Sequence, residues 1–190
     1  MASSYRVELE NYLSKIEINC HSVLGVGDAQ LKTDKRVKSW DVENYVIADL
    51  PEPHANSPKP DIEFDLQKQD WKYEFGDWQF DVVFCLEVFD YILLPDCAMS
   101  NLYDMTKEGG KVYVTFPFVY PTHNPIKSDM LRYTEFAVRE LARLTGFRIV
   151  EIIPRRPETN AIDNLWRAER MRAAKGYDHD VTGWIAELVK

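Results

Sequence analysis

Short apolar runs alternate with stretches of helical periodicity along most of this chain. HSVLGVG, 21–27, is an apolar run stopped by glycines and predicts a first strand. YVIADL, 45–50, predicts a second strand ending in Asp49, and DIEFDL, 61–66, a third ending in an acidic residue, Asp65. FDVVFCLEV, 80–88, is mostly apolar, as a strand buried on both faces of a parallel sheet must be. KVYVTFPF, 111–118, and FRIVEII, 147–153, predict a fifth and a sixth strand. Helical spacing appears over 5–17 and, weakly, over 29–39. Asp96 caps a helix predicted over 97–107, with Ala98, Met99, Leu102 and Met105 inward, and Gly109-Gly110 stops it. Thr134 caps a further helix over 135–145, with Phe136, Val138, Leu141 and Leu144 apolar, and Gly146 ends it. After Pro154 the pattern blurs, with helices predicted over 162–174 and 181–189. PEPHANSPKP, 51–60, holds four prolines and cannot be a helix.

Alternation of strand and helix argues for an α/β fold, a three-layer sandwich around a doubly wound, mainly parallel sheet. No repeat or linker interrupts it, so residues 1–190 read as one domain, with a core of about 20–153 and a helical C-terminal extension over 154–190. Sheets of this kind bind ligands at the carboxyl ends of their strands. Gly25, Gly27 and Asp28 stand at the end of the first strand, Asp49 at the second, Asp65 at the third and Glu87 at the fourth. Glycines there admit a ligand close to the backbone. A carboxylate ending the second strand accepts both hydroxyls of a ribose, and Asp65 is placed to accept from an adenine amino group. Each feature alone has a plainer reading: the glycines as a simple turn, Asp49 and Asp65 as turn formers. Their order and spacing together carry the argument.

Composition narrows the ligand. The 190 residues are 45% hydrophobic and carry a net charge of −8, which opposes broad nucleic-acid binding. A local excess of six Lys/Arg over three Asp/Glu lies within 155–175. Cys20, Cys85 and Cys97 have no CxxC or metal spacing, nor do the histidines, so no metal is expected. MASSYRVELE is charged within its first ten residues, and no apolar run approaches the roughly 18 residues of a membrane span. With an odd number of thiols, the expectation is a soluble cytoplasmic protein with no membrane partner. A homo-oligomer stays open.

VLGVGDA, VIADL, IEFDLQ, FDVVFCLEVFDYILLP, KEGGKVYVTFPF and DMLRYTEFAVRELARLTGFRIVEI, taken in order over about 20–153, resemble the class I S-adenosylmethionine-dependent methyltransferases, in particular their small type-11-like members. The resemblance implies a seven-stranded sheet of order 3-2-1-4-5-7-6 with the seventh strand antiparallel. It implies S-adenosylmethionine as methyl donor and S-adenosylhomocysteine as product. Gly25 and Gly27, with Asp28 and Ala29 beside them, would lie along the methionine part of the cofactor. Asp49, with Leu50, would hold the ribose, Asp65 and the Leu66 backbone the adenine, and Cys85, Leu86 and Glu87 would line the end near the sulfonium and the acceptor.

The chain departs from the family pattern at several points. Where the first motif usually carries an acid, Gly25 or Val23 stands here, with Asp28 as a possible substitute. Asp90-Tyr91 replaces the usual Glu-His pair after the fourth strand, the proline loop replaces a helix, and no seventh strand is evident after residue 153, so the last antiparallel strand reads as missing or altered. The segment FPFVYPTHNP, 116–125, should overhang the site, with His123 as candidate base because an unperturbed imidazole titrates at about 6.5. Tyr120, Arg132 and Tyr133 are candidates for an acceptor pocket. His123 has the plain alternative of a loop histidine tied to backbone, and Arg132 that of a structural ion pair. The acidic balance favours a small-molecule or sugar acceptor. Two rivals stand beside methyl transfer: a non-catalytic binding module on the same fold, and a nicotinamide-dependent oxidoreductase, against which Gln30 stands where a third glycine is needed.

Overall fold

The computed structural model describes residues 4–51, 58–68, 71–122, 126–157, 159–169 and 179–190. Seven strands form one sheet: β1 (Glu17–Val26), β2 (Ser39–Asp49), β3 (Ile62–Glu63), β4 (Phe80–Cys85), β5 (Thr106–Pro117), β6 (Arg148–Arg155) and β7 (Gly183–Val189). Their order is β3-β2-β1-β4-β5-β7-β6. The pairs from β3 to β5 are parallel, and β7 runs antiparallel to both β5 and β6. The helices are α1 (Ser4–Leu13), α2 (Lys72–Phe75), α3 (Pro95–Met105), α4 (Glu135–Thr145) and α5 (Ala161–Ala168).

Both faces of the sheet are covered, which makes the three layers. On one face α3 and α4 press Ala98, Met99, Leu102, Val138 and Leu141 onto Val83, Val112, Val114 and Leu188. On the other, Leu9 and Leu13 of α1 pack with Val23, Phe84, Tyr113 and Ile185. Strand β4 contributes to both, as its apolar run requires. The ends of α4 follow its sequence: Thr134 Oγ1 accepts from the Ala137 N–H at 3.2 Å, and Gly146 takes φ 92°. Its apolar stripe is broader than the surface it covers, since Phe136 and Leu144 are exposed while Val138, Leu141 and Ala142 are buried.

Several expectations need correction. Residues 183–189 are not helix but the antiparallel strand β7, so the last strand is present. The run WIAELV suits either period on paper. Insertion between β5 and β6 decides it, burying Trp184, Ala186 and Leu188 on one face and Ile185 on the other. The extension after 154 is therefore only partly helical. Residues 29–39 form no α-helix either; one 3-10 turn, Thr33–Lys35, follows a left-handed Lys32. The helix predicted over 97–107 stops at Met105, and Gly109-Gly110 lie inside β5. A Cβ at Gly110 would sit 2.8 Å from the Lys107 carbonyl oxygen, which is why the strand needs glycine there. Residues 52–57 of the proline loop lie outside the described residues.

Candidate functional site

The parallel register brings the strand ends together: Val26 of β1 sits opposite Ala48 of β2 and Cys85 of β4. Beyond this edge lies a cleft of about 380 Å³, whose lining includes Gly27, Asp49, Leu50, Asp65, Leu66 and Glu87. Tyr91 and Met130 line it as well.

At the end of β1, Gly27 takes φ 69°, and a Cβ there would come within 2.5 Å of Val88 Cγ2. Both constraints demand glycine. Gly25 is a glycine for a different reason. A Cβ on it would lie 2.8 Å from Asp28 Cβ and 2.8 Å from Tyr45 Oη, so it makes room for a buried carboxylate. Asp28 is 1% exposed. It accepts from the Thr33 N–H at 3.1 Å, from Thr33 Oγ1 at 2.7 Å and from the Tyr45 hydroxyl. Burial raises its pKa to about 6. Neither Gly25 nor Asp28 is among the cleft-lining residues. Asp28 braces the turn from beneath, and Ala29 is buried beside it.

At the end of β2, one Asp49 oxygen accepts from the Leu50 N–H at 2.8 Å, and a carboxylate has further lone pairs to offer. Asp65 shapes the loop after β3 by accepting from the Gln67 N–H at 3.0 Å. That loop is fastened to α3. Asn101 Nδ2 donates to the carbonyls of Leu66 at 2.7 Å and Lys68 at 2.6 Å. Gln67 Oε1 accepts from the N–H groups of Leu93 and Leu94.

At the end of β4, Cys85 and Leu86 are buried and do not line the cleft. Burial pushes the Cys85 thiol well up. Glu87 does line it, with φ 58°. Its N–H donates to Thr115 Oγ1 at 2.7 Å, that hydroxyl donates to Glu87 Oε1 at 3.0 Å, and Arg155 Nη1 donates to Oε1 at 2.5 Å.

The overhanging segment differs from the sequence picture. Tyr133 is buried and donates to the Phe89 carbonyl at 3.0 Å, as a core residue. Arg132 grips both oxygens of Asp129, at 2.5 and 2.8 Å, and its Nε donates to the Tyr120 carbonyl. This is the ion-pair alternative. None of Tyr120, Arg132 and Tyr133 is among the cleft-lining residues. His123 lies outside the described residues. Sequence reasoning assigned no role to Thr115, Arg155 or Asn101. An arginine closing an apolar strand was the only signal for Arg155. Among the described residues no group of His, Cys, Asp and Glu side chains is arranged to hold a metal, and no helix is long and apolar enough to cross a membrane.

Residues 22–114 match a family model described as a methyltransferase domain. No curated protein matches the chain in sequence. Among solved structures, a SAM-dependent methyltransferase from Archaeoglobus fulgidus is 13% identical, with a TM-score of 0.62 over 98% of this chain and 92% of that one. The N-methyltransferase NodS from Bradyrhizobium japonicum WM9, in complex with S-adenosylhomocysteine, is 12% identical, with a TM-score of 0.60 over 99% and 88%. The cyclase SpnF is 15% identical, with a TM-score of 0.61 over 96% and 80%. At these identities the likeness is one of fold. The domain match over 22–114 and the strand order with its antiparallel β7 give this chain the class I methyltransferase fold.

Proposed function

We propose that this protein transfers a methyl group from S-adenosylmethionine to a small-molecule or sugar acceptor. The observation that carries this reading is the single cleft that holds Gly27, Asp49, Asp65 and Glu87 at the ends of successive strands. Its donors and walls fit the cofactor. Asp49 offers carboxylate lone pairs to a ribose, the Asp65–Leu66 loop offers an edge to adenine, and Leu50, Phe64 and Ile92 offer apolar surface to a flat base. When bound, the cofactor supplies a methyl group on a positively charged sulfur. The protein's part is to hold the acceptor atom about 3–3.5 Å from that methyl and in line with it. Met130 and Tyr91 line the same cleft. The free thiols of Cys20, Cys85 and Cys97 favour a reducing compartment, the cytosol.

One observation favours a second reading. With Asp28 turned beneath the sheet edge, the turn after β1 presents no carboxylate to the cleft, as a non-catalytic binding module could afford. A fold shared with a cyclase also shows that architecture alone does not dictate chemistry. Calorimetric titration with S-adenosylhomocysteine and, separately, with NAD separates these readings. We expect S-adenosylhomocysteine to bind and NAD not to. Tight NAD binding without a response to S-adenosylhomocysteine overturns the proposal, and no binding of either at near-millimolar concentration favours the module. Asp49→Ala should weaken S-adenosylhomocysteine binding by about 1–3 kcal/mol. Unchanged affinity in a folded variant removes the ribose assignment.

A further inference from the structure

Glu87 and Lys32 are the two non-glycine residues with positive φ among those described. A left-handed backbone is unfavourable for a residue with a Cβ, and such outliers point toward function when the surroundings enforce them. Here they do. Thr115 holds both the Glu87 N–H and its carboxylate, and Arg155 donates to Oε1 at 2.5 Å. The Arg155 side chain is 0% exposed and that of Glu87 28%. The guanidinium therefore stands behind and cannot reach a ligand, while the carboxylate faces the cleft. An ionised carboxylate only accepts hydrogen bonds, so the group it meets must be a donor.

Position says which ligand it meets. Thr115 on β5 and Arg155 on β6 anchor the carboxylate on the side of β4 away from Asp49 and the loop after β3. A nucleoside on Asp49 and Asp65 leaves Glu87 at the acceptor end. Arg132 lies outside the cleft lining, engaged by both oxygens of Asp129. Burial raises the phenol pKa of Tyr91, with the Asp90 charge next, and burial followed by the Glu87 charge raises that of Tyr120. Every charged residue among the described cleft-lining ones is a carboxylate, Asp49, Asp65 and Glu87, and with Glu87 at the acceptor end the cleft favours a cation there.

We propose that Glu87, fixed by Thr115 and Arg155, selects an amine as the methyl acceptor; the proposal rests on the methyl-transfer reading above. The carboxylate binds the ammonium form. After one proton has passed to water, the amine nitrogen uses its lone pair to form the N–CH3 bond as the S–CH3 bond breaks and leaves its electron pair on sulfur. Positive charge moves from sulfur to nitrogen, toward Glu87, so the same carboxylate stabilises the product cation. An alcohol gains a hydrogen bond there but no charge interaction, and a carboxylate or phosphate is repelled.

The test uses matched probes that differ only in the end group: tyramine, tyrosol and 4-hydroxyphenylacetate, and hexylamine, hexanol and hexanoate. Binding is read by ligand-observed NMR with and without S-adenosylhomocysteine. We expect the amines to bind at least ten-fold tighter than their alcohol and acid partners. Glu87→Gln should abolish that preference while changing S-adenosylhomocysteine affinity less than three-fold. Because Glu87→Gln removes the carboxylate paired with a buried guanidinium, the double variant Glu87→Gln/Arg155→Met serves as the second measurement. Alcohols or acids binding as well as amines, or an amine preference that survives in the variants, overturns the proposal. So does a ten-fold loss of S-adenosylhomocysteine affinity with amine binding intact, which would assign Glu87 to the cofactor. A wild type that binds amines through Glu87 but no S-adenosylhomocysteine overturns the methyl-transfer reading and leaves the amine site standing.

Discussion

Asp28 sits under the turn that follows β1, with Thr33 and Tyr45 donating to it and Asp34 and Arg36 close enough to act on its charge. Burial outweighs those donors and raises its pKa from an ordinary 3.8 to about 6. The folded protein therefore binds this proton more tightly than the unfolded chain does. The stabilisation is fully present below pH 3.8 and is lost as pH rises through about 6. Its size is on the order of 3 kcal/mol. Urea unfolding of the wild type and of Asp28→Asn across pH 4–7.5 checks this: the wild type should lose stability relative to the variant over that range. Parallel profiles would remove the titration from Asp28. In sequence, VLGVGDA shows two glycines and an acid at a strand end, and all three look alike as ligand contacts. Their roles divide only in three dimensions, where Gly25 spares space for Asp28 and Tyr45, and Gly27 alone reaches the cleft.

At the scale of elements, the loop after β3 owes its shape to a helix some thirty residues later. Asn101 projects from α3 and satisfies two loop carbonyls, those of Leu66 and Lys68. Asn101→Ala leaves both without that donor, which should cost about 1–3 kcal/mol of stability. Affinity for S-adenosylhomocysteine should also fall several-fold, because Leu66 lines the cleft. Denaturant midpoints and calorimetry on one preparation check both, and unchanged values would mean that α3 does not hold the loop. Elements whose signals are local were legible: α4 announces itself by Thr134, its periodicity and Gly146. The crossover after β1 was not. Capture of Thr33 by Asp28 and a left-handed Lys32 leave a single 3-10 turn where helical spacing pointed to a helix.

Across the whole molecule, Glu87, Thr115 and Arg155 come from the end of β4, from β5 and from β6, and β7 lies between the last two. Arg155 is also tied to the entry of β7, since its carbonyl accepts from the Thr182 N–H at 2.8 Å. Removing one partner of a buried pair leaves a charge stranded, whereas removing both does not. Glu87→Gln should destabilise by about 3 kcal/mol, the low end of the usual range because Glu87 faces solvent in the cleft. Glu87→Gln/Arg155→Met should recover most of it. A thermodynamic cycle of the two single variants and the double variant checks this, and additive losses would mean that the two groups are not coupled.

The sequence by itself determined the parallel core of the sheet, the helices α3 and α4, and the carboxylates Asp49, Asp65 and Glu87 at successive strand ends. The apolar runs of the parallel strands, the inward stripe of α3, and the Thr134 cap and Gly146 stop of α4 are local signals that the folded chain keeps. Only the tertiary structure decided that residues 183–189 are a strand, because an ambiguous pattern takes the period of the neighbours that pair with it on both sides. It alone turned Asp28 inward and backed Glu87 with a fully buried Arg155, 68 residues away in the chain. Burial and charge pairing depend on what the fold places beside a residue, and no local stretch of sequence contains that information.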